Sequence, residues 1–277
     1  MTSIFQDHNG FMWFGTFDGL NRYDGYSFKI FRNVIGDTAS LNGNGVGAIA
    51  ENADHQLWIG TGKGLSIYNP YKGNFYGASF KIWNNNSVVP LRSNIRTIQK
   101  NDKDGSMLVG TRQKGLLLFQ GNSRTAVQIP FLLRKGYEGD YDVRAIAIDS
   151  SHQLAWIFIQ QVGLCVYSVK SKSLQLITGT IKKADCLKLD SKGNLWLGNE
   201  NGLFLYDMRK NLFSNNIFPF KGRVMNLFED RQRVLWISTD GNGVWSMPVG
   251  QARPVPYVPG RGTSLTSPVI NTIYIDT

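Results

Sequence analysis

One short phrase centred on tryptophan recurs throughout the chain. It reads QLWIGTGKGLSIYNP in the second copy and NLWLGNENGLFLYDM in the fifth. The copies follow one another at intervals of about 40 to 50 residues. They are centred on Trp13, Trp58, Leu108, Trp156, Trp196 and Trp236. A repeat of this length made of strand-like pieces is typical of stacked or radially arranged β units, so function is expected on rims and loops.

Each repeat contains four strand-like pieces. The first is short and apolar and ends in a polar turn, as in VGAIAEN from Val46, and the second carries the tryptophan. A glycine-rich turn leads to the third piece, GLSIY from Gly64, and the fourth varies more, as in YSFKIF from Tyr26. Aromatic and β-branched segments between turn signals predict strands, and helical periodicity is absent. The sequence therefore predicts an all-β fold, a β-propeller of four-stranded blades.

The repeated residues suit the surfaces that blades bury against each other. A large flat tryptophan on the second strand is expected to fill the wedge between neighbouring blades. The Gly-Thr pair after the tryptophan and the later Gly-Leu pair are interpreted as sites of tight turning. Both features predict architecture and leave the ligand open.

Six copies of the phrase are complete, and the chain ends soon after a seventh first strand begins. The segment SPVINTIYID from Ser267 matches only that strand. We predict six complete blades plus the first strand of a seventh, opened by residues 266–277, all in a single domain of residues 1–277. Because an isolated first strand has unpaired edges, the native protein is expected to continue.

The charge balance and the distribution of apolar residues argue against a nucleic-acid-binding protein and against a membrane span. The 277 residues include 30 Lys and Arg against 20 Asp and Glu, a net charge of +10. This charge suits either solubility or attraction to an acidic partner. Since the basic residues form no long run, we predict no nucleic-acid contact. No stretch approaches the ~18 to 20 apolar residues of a membrane span, and no leader pattern opens the chain.

The few cysteines and histidines argue against a disulfide framework, metal sites and cofactors. Cys165 and Cys186 are the only cysteines, and we predict buried free thiols. His8, His55 and His152 each fall in the turn between a first and a second strand. Turns of different blades should lie far apart on a rim, so we predict local hydrogen bonding and no metal. No cofactor is predicted, because nucleophile-elbow and dinucleotide motifs are absent.

The order Asp-x-x-Gly, aromatic-x-Trp-x-Gly-Thr, Gly-Leu and Arg-Tyr-Asp is clearest over residues 6–25. It resembles the two-component regulator propeller repeat, at the start of the sensor region in hybrid two-component systems of gut bacteria. Such proteins combine a histidine kinase and a response regulator. Leu108, Phe158, Asn199 and Ser238 depart from the repeat, which is normal in propellers.

The resemblance has implications for the whole protein. In that family the periplasmic sensor holds two seven-bladed propellers and a small β-sandwich, followed by a membrane helix, the kinase, a receiver and a helix-turn-helix domain. It implies that this chain is most of the first propeller, in the periplasmic part of an inner-membrane protein. Its implied partners are the remaining propeller and the β-sandwich, within a homodimer.

Residues that lead into or open each first strand are expected to line the central channel, because that strand is innermost. Polar side chains converging on a concavity provide a ligand site, although channel residues can also be simply solvated. Arginines there would suit carboxylate or sulfate groups through bidentate bonds. The candidate ligand-binding residues are Arg92, Asn94, Arg96, Arg144, Asp185 and Arg223. Aromatics in the segments 71–83 and 131–141 are expected to be exposed, for stacking on sugars or for a protein interface.

Three functions remain open. The first is a non-catalytic sensor module that detects oligosaccharides derived from a polysaccharide, including anionic ones, and regulates their utilisation. The second is a propeller lyase acting on a polysaccharide or a cyclic compound, against which the scarcity of histidine counts. The third is a purely structural or dimerisation propeller.

Overall fold

The computed structural model describes residues 1–132, 141–219, 222–251, 253–257 and 269–274. Its regular secondary structure consists of β-strands, and these described residues contain no helix. It follows that they also contain no helix long and apolar enough to cross a membrane.

The first three sheets come from the first half of the chain. The first sheet contains β1 (Ser3–Gln6), β2 (Met12–Thr16), β3 (Gly19–Tyr23) and β4 (Phe28–Phe31). The second contains β5 (Val46–Glu51), β6 (Leu57–Thr61), β7 (Gly64–Asn69) and β8 (Asn74–Gly77). The third contains β9 (Ser79–Lys81), β10 (Val88–Pro90), β11 (Ile95–Lys100), β12 (Met107–Thr111), β13 (Leu116–Phe119) and β14 (Thr125–Ile129).

Three further sheets follow. The fourth contains β15 (Val143–Asp149), β16 (Leu154–Ile159), β17 (Gly163–Ser168) and β18 (Ser173–Thr178). The fifth contains β19 (Cys186–Leu189), β20 (Leu195–Asn199), β21 (Gly202–Asp207) and β22 (Leu212–Phe213). The sixth contains β23 (Val224–Glu229), β24 (Val234–Thr239), β25 (Val244–Pro248) and β26 (Val255–Pro256). Five sheets have four strands in sequence order, which confirms the predicted β-propeller of four-stranded blades.

The third blade departs from the four-strand plan. Strands β9 and β10 form an antiparallel hairpin, and β9 pairs in parallel with the outer strand β14. This hairpin buries Phe80, and Phe75 on β8 is also buried, so the prediction of exposed aromatics in the segment 71–83 holds for Tyr71 but is wrong for these two. It is also wrong for Phe131 and Tyr141, which are 1% and 2% exposed. Residues 133–140 of that second segment lie outside the described residues.

The chain divides into two compact units. One comprises Met1–Ile157 with Cys165–Leu176, and the other Phe158–Leu164 with Ile177–Thr277. The first three sheets belong to the first unit, and the fifth and sixth to the second. A single domain over residues 1–277 stays a prediction.

The repeated tryptophan is buried in four of its five copies, as the sequence predicts, whereas Trp236 in the sixth blade is partly exposed. In the first unit, Trp13 packs in one cluster with residues of the first and second blades, with its ring 5.4 Å from Tyr68. Trp58 packs edge-on against Phe119 of the third blade at 4.8 Å. In the second unit, Trp196 lies in a cluster drawn from the fifth and sixth blades. Burial of such large side chains stabilises each pair of blades.

The glycine two positions after the tryptophan lies where neighbouring blades approach closely. Its interpretation as a turn residue is wrong. These glycines lie inside the second strands. A Cβ added to Gly60 would lie 2.7 Å from Ile95 Cγ2, and one on Gly110 would lie 2.7 Å from Val143 Cγ1. Both contacts are with the first strand of the next blade. Only a residue without a side chain permits this spacing.

Both cysteines are buried and neither forms a disulfide, as predicted. The predicted seventh-blade strand has less support, because residues 269–274 contain no assigned strand. The Ile270 amide nevertheless donates to the Thr239 carbonyl at 3.0 Å. Residues 266–268 and 275–277 lie outside the described residues, so the opening of a seventh blade stays a prediction.

Candidate functional site

The candidate site is formed by loops at one edge of the second and third blades. In an antiparallel sheet the start of the first strand, the turn between the second and third strands and the end of the fourth lie at the same edge. In the first unit this edge borders a cavity of about 800 Å³, which we call the basic cavity. Its polar lining consists of Thr38, Asn42, Lys63, Arg92, Ser93, Asn94, Arg112 and Gln113.

The turn that carries Lys63 is held by hydrogen bonds of the Thr61 hydroxyl and by a close approach at Gly64. The Thr61 hydroxyl donates to the Gly64 carbonyl at 2.8 Å and accepts from the Lys63 amide at 3.2 Å. Gly64 adopts φ +147°, and a Cβ there would lie 2.4 Å from the Leu91 carbonyl oxygen. Thr61 and Gly64 therefore hold Lys63 beside the chain that leads into β11.

The same turn in the third blade places Arg112. The Thr111 hydroxyl donates to the Gly115 carbonyl at 2.9 Å, as Thr61 does in the second blade. The Arg112 amide donates to the Asn94 carbonyl at 2.8 Å, which ties this turn to the residues before β11. These two hydrogen bonds fix the backbone that carries the Arg112 side chain at the edge of the basic cavity.

The basic cavity carries positive charge that nothing in the described residues neutralises. The side chains of Lys63, Arg92 and Arg112 make no ion pair and no hydrogen bond there. The equivalent turns of the first and fifth blades carry acids instead, since Asp18 pairs with Arg32 at 2.9 Å and Glu200 with Lys183 at 3.4 Å. The uncompensated cations of the second and third blades can therefore bind an external anion.

The six residues predicted from sequence fall into different environments. Arg92 and Asn94 line the basic cavity. Arg96 lies on β11 and pairs with Asp142 at 3.3 Å, with both side chains half-buried. Arg144 occupies the equivalent position on β15 and does not line the cavity.

The other two predicted residues bind each other in the second unit. Arg223 donates two hydrogen bonds of 2.8 Å to the Asp185 carboxylate. These bonds raise the pKa of Arg223 above its usual range, against the opposing effect of burial. This fork geometry uses the guanidinium donors that an external carboxylate would otherwise take.

Sequence reasoning missed Lys63, Arg112 and Gln113. These residues lie in turns between second and third strands, whereas the candidates predicted from the sequence lead into or open first strands. Antiparallel pairing was the available signal, because it brings both kinds of segment to one edge.

The expected separation of the histidines is wrong for two of them. The rings of His8 and His55 are stacked with their centroids 3.7 Å apart, and Glu51 lies against both. His152 behaves as expected and bonds locally to Asp149 at 2.8 Å. Burial alone would raise the pKa of Asp149, but hydrogen bonds from Ser151 and His152 outweigh it and lower the pKa.

The blades and their repeated tryptophans define a β-propeller. The two component regulator propeller model matches residues 1–18 and 40–63, which confirms the resemblance seen in the sequence. A stretch of 39 residues is 51% identical to histidine kinase P4 of Formosa agariphila. That stretch is 14% of this chain and 3% of the kinase.

Solved structures support the fold over nearly the whole chain. The extracellular domain of the hybrid two component system BT3049 from B. thetaiotaomicron superposes with a TM-score of 0.81 at 21% identity. The match covers 99% of this chain and 37% of that one. The extracellular domain of BT4673 from the same organism gives a TM-score of 0.73 at 20% identity over 93% of this chain and 36% of that one. The chain thus spans little more than a third of these extracellular domains.

Proposed function

We propose that this chain is a non-catalytic sensor propeller of a hybrid two-component signalling protein, and that it binds an anionic oligosaccharide derived from a polysaccharide in the basic cavity. The signal would regulate use of that polysaccharide. The observation that carries the proposal is the convergence of Lys63, Arg92 and Arg112 on one cavity without a carboxylate partner among the described residues.

Cavity size and donor chemistry support an oligosaccharide. A volume of about 800 Å³ falls in the range of small-ligand sites. Guanidinium groups bind carboxylate or sulfate through paired hydrogen bonds, and lysine supplies a point charge. The amides of Asn42, Asn94 and Gln113 can both donate and accept, which suits sugar hydroxyls.

The lining of the basic cavity favours binding over catalysis. A lyase requires a general base. The residues lining this cavity include no histidine, tyrosine or carboxylate, and lysine is represented there by Lys63 alone. Family-model and structural matches to regulator propellers support the sensor role. The extracellular description of the similar structures supports an extracytoplasmic position, which in a sensor kinase of this kind is the periplasm.

Binding to three tetrasaccharides tests the proposal. Calorimetric titration would compare a sulfated chondroitin tetrasaccharide, tetragalacturonate and neutral maltotetraose. We expect at least one anionic probe to bind, and Arg92→Ala with Arg112→Ala to weaken it more than tenfold. Each charge-assisted bond contributes about 1.5 to 3 kcal/mol, and about 1.4 kcal/mol is one decade in affinity. Affinity should fall as salt rises, because the cavity is open to solvent.

A charge-matched control separates the cavity from the general positive field. Arg209→Ala with Lys210→Ala removes the same two charges from an exposed turn of the second unit and should leave affinity unchanged. Equal affinity in the parent and the Arg92, Arg112 variant would exclude the basic cavity. A loss confined to Arg96→Ala with Arg144→Ala would place the site at the first-strand residues predicted from sequence.

A dimerisation role is the second candidate, favoured by an apolar surface on the first blade. Tyr26 and Ile35 are both 97% exposed, and they flank β4, the outer strand of the first sheet. Phe28 and Ile30 on β4 are exposed as well. Sedimentation velocity would test this role. A concentration-dependent dimer should dissociate in a Tyr26→Lys, Ile35→Lys variant, and a parent that sediments as a monomer would contradict it.

A further inference from the structure

We propose that His8, Glu51 and His55 bind a divalent first-row transition-metal ion such as Zn²⁺. The inference is independent of the proposed oligosaccharide site, because the three residues share no lining position with the basic cavity. Imidazole nitrogen and carboxylate oxygen are common zinc ligands, and two histidines with one glutamate form a known three-residue ligand set.

The geometry of the three side chains suits one ion. One ligand atom from each residue can be chosen so that all three lie within 4.8 Å of one another. Glu51 Oε1 is 2.5 Å from His8 Nδ1 and 3.6 Å from His55 Nδ1. Ligand atoms on a tetrahedral zinc ion lie about 3.3 Å apart, given bonds of about 2.0 to 2.2 Å. Because His8 and His55 are exposed, small side-chain rotations can reach this spacing.

The backbone holds the three ligands at a junction between the first and second blades. Glu51 ends β5, and its Oε2 accepts from the His8 amide at 3.2 Å. This bond leaves Oε1 facing both imidazoles. His55 adopts a positive φ of 61° in the turn that follows, which brings its ring onto that of His8.

The junction between the fifth and sixth blades shows that the histidines are not needed for the contact between blades. There Glu229 occupies the place of Glu51 and accepts from the Ser191 amide at 2.8 Å. Arg233 has a φ of 60° in the turn position of His55. The glutamate-to-amide bond is thus shared by both junctions, and the pair of imidazoles is the added feature of the first.

The site also has an open side. His8 and His55 border a cleft of about 270 Å³ that is also lined by Arg22 and Tyr68. Three protein ligands leave a fourth coordination position for solvent or a bound group. The Nε of Arg22 is buried without an acceptor in the described part of the chain, while its guanidinium lies 4.5 Å from the Phe11 ring. This cation beside the open position would favour an anionic fourth ligand.

Calorimetric titration of chelator-treated protein with ZnCl₂ tests the proposal. The parent should bind one ion per chain, and its melting temperature should rise with zinc concentration. His8→Ser with His55→Arg, which installs the residues found at the other junction, should bind zinc at least tenfold more weakly and should lose the thermal shift. Far-UV circular dichroism would confirm that this variant folds.

Two further variants sharpen the test. His152→Ala removes the histidine outside the cluster and should bind zinc as the parent does. Glu51→Gln can still accept the His8 amide but lacks the carboxylate charge, so its zinc affinity should fall. A parent that binds no zinc, or a His8, His55 variant that binds it as tightly as the parent, would overturn the proposal.

Discussion

At the scale of single residues, a hydrogen bond between a turn aspartate and the blade tryptophan recurs in the first, fifth and sixth blades. Trp13 Nε1 donates to Asp7 at 2.7 Å, and Trp196 Nε1 donates to Asp190 at 2.8 Å. The second oxygen of Asp190 accepts amides of the turn, so one carboxylate holds both the turn and the indole. The sequence did not predict the indole bond, because that bond depends on how the strand folds back over the turn.

The second blade lacks this arrangement. Asn52 stands at the aspartate position, and its Oδ1 accepts from the Asp54 and Gln56 amides at 3.1 and 2.8 Å. Its Nδ2 is a donor, so it cannot accept from the indole, and Trp58 Nε1 is buried without an acceptor in the described part of the chain. A buried donor without a partner costs about 1 to 3 kcal/mol.

We expect Asn52→Asp to stabilise the protein by about 1 kcal/mol. The new carboxylate oxygen would accept from Trp58, and the gain is reduced by the burial of a charge. Gln56 would turn its amide to donate, as Asn194 does to Asp190 at 2.9 Å. Urea unfolding at neutral pH measures the change. Asp190→Asn should destabilise by about 1 to 3 kcal/mol, and a lower midpoint for Asn52→Asp would refute the explanation.

Burial determines the reactivity of Cys165. It raises the pKa of this thiol to about 12. Since the thiolate is the reactive form, Cys165 should resist a disulfide reagent in the folded protein and react once denaturant is added. A Cys186→Ala background reports on this thiol alone. Rapid labelling under native conditions, at a rate independent of unfolding, would show that Cys165 is accessible.

At the scale of elements, the sequence predicted strands well where the same apolar pattern returned in each copy. It did not predict the β9–β10 hairpin, because two short strands separated by a turn become stable only by pairing with β14. It also misread the glycine after the tryptophan. Gly60 approaches Ile95 of the next blade closely, and this is a tertiary contact that the sequence around Gly60 does not indicate.

We expect Gly60→Ala to destabilise the protein by about 1 to 3 kcal/mol, as for other overpacked cores. Its Cβ would lie 2.7 Å from Ile95 Cγ2 on the neighbouring strand. Gly45→Ala is the matched control, because a Cβ there meets nothing within 4 Å. Denaturant midpoints of both variants make the comparison. In an Ile95→Ala background the Gly60→Ala penalty should shrink, and an unchanged penalty would show that this contact is not its cause.

At the scale of the whole molecule, the net charge of +10 does not show where an anion would bind. That depends on which turns the fold brings together. Composition cannot distinguish a spread of solubilising charge from a cluster, and several arginines are already paired with aspartates. Arg96 and Arg223 were selected by their positions before or in first strands, yet their partners Asp142 and Asp185 occupy similar positions in adjacent blades. The convergence of His8 on Glu51 was missed for the same reason, since 43 residues separate them.

Stability and binding should be separable, because Trp196 and the residues that line the basic cavity belong to different units. Trp196 is 2% exposed in the core of the fifth and sixth blades, so Trp196→Ala should cost about 3 to 5 kcal/mol. Every residue lining the basic cavity belongs to the first unit. Below its unfolding transition the variant should therefore bind the anionic tetrasaccharide with the parent's affinity.

Arg92→Ala should behave in the opposite way, because this side chain is exposed and makes no ion pair in the described residues. It should weaken binding while leaving the denaturant midpoint within about 0.5 kcal/mol of the parent. Paired unfolding and calorimetric measurements on the two variants test both halves. An unchanged midpoint for Trp196→Ala would show that the position is not core. Lost affinity in a folded Trp196→Ala protein would show that the cavity depends on the second unit, and the ligand would then have to be sought on a surface that includes it.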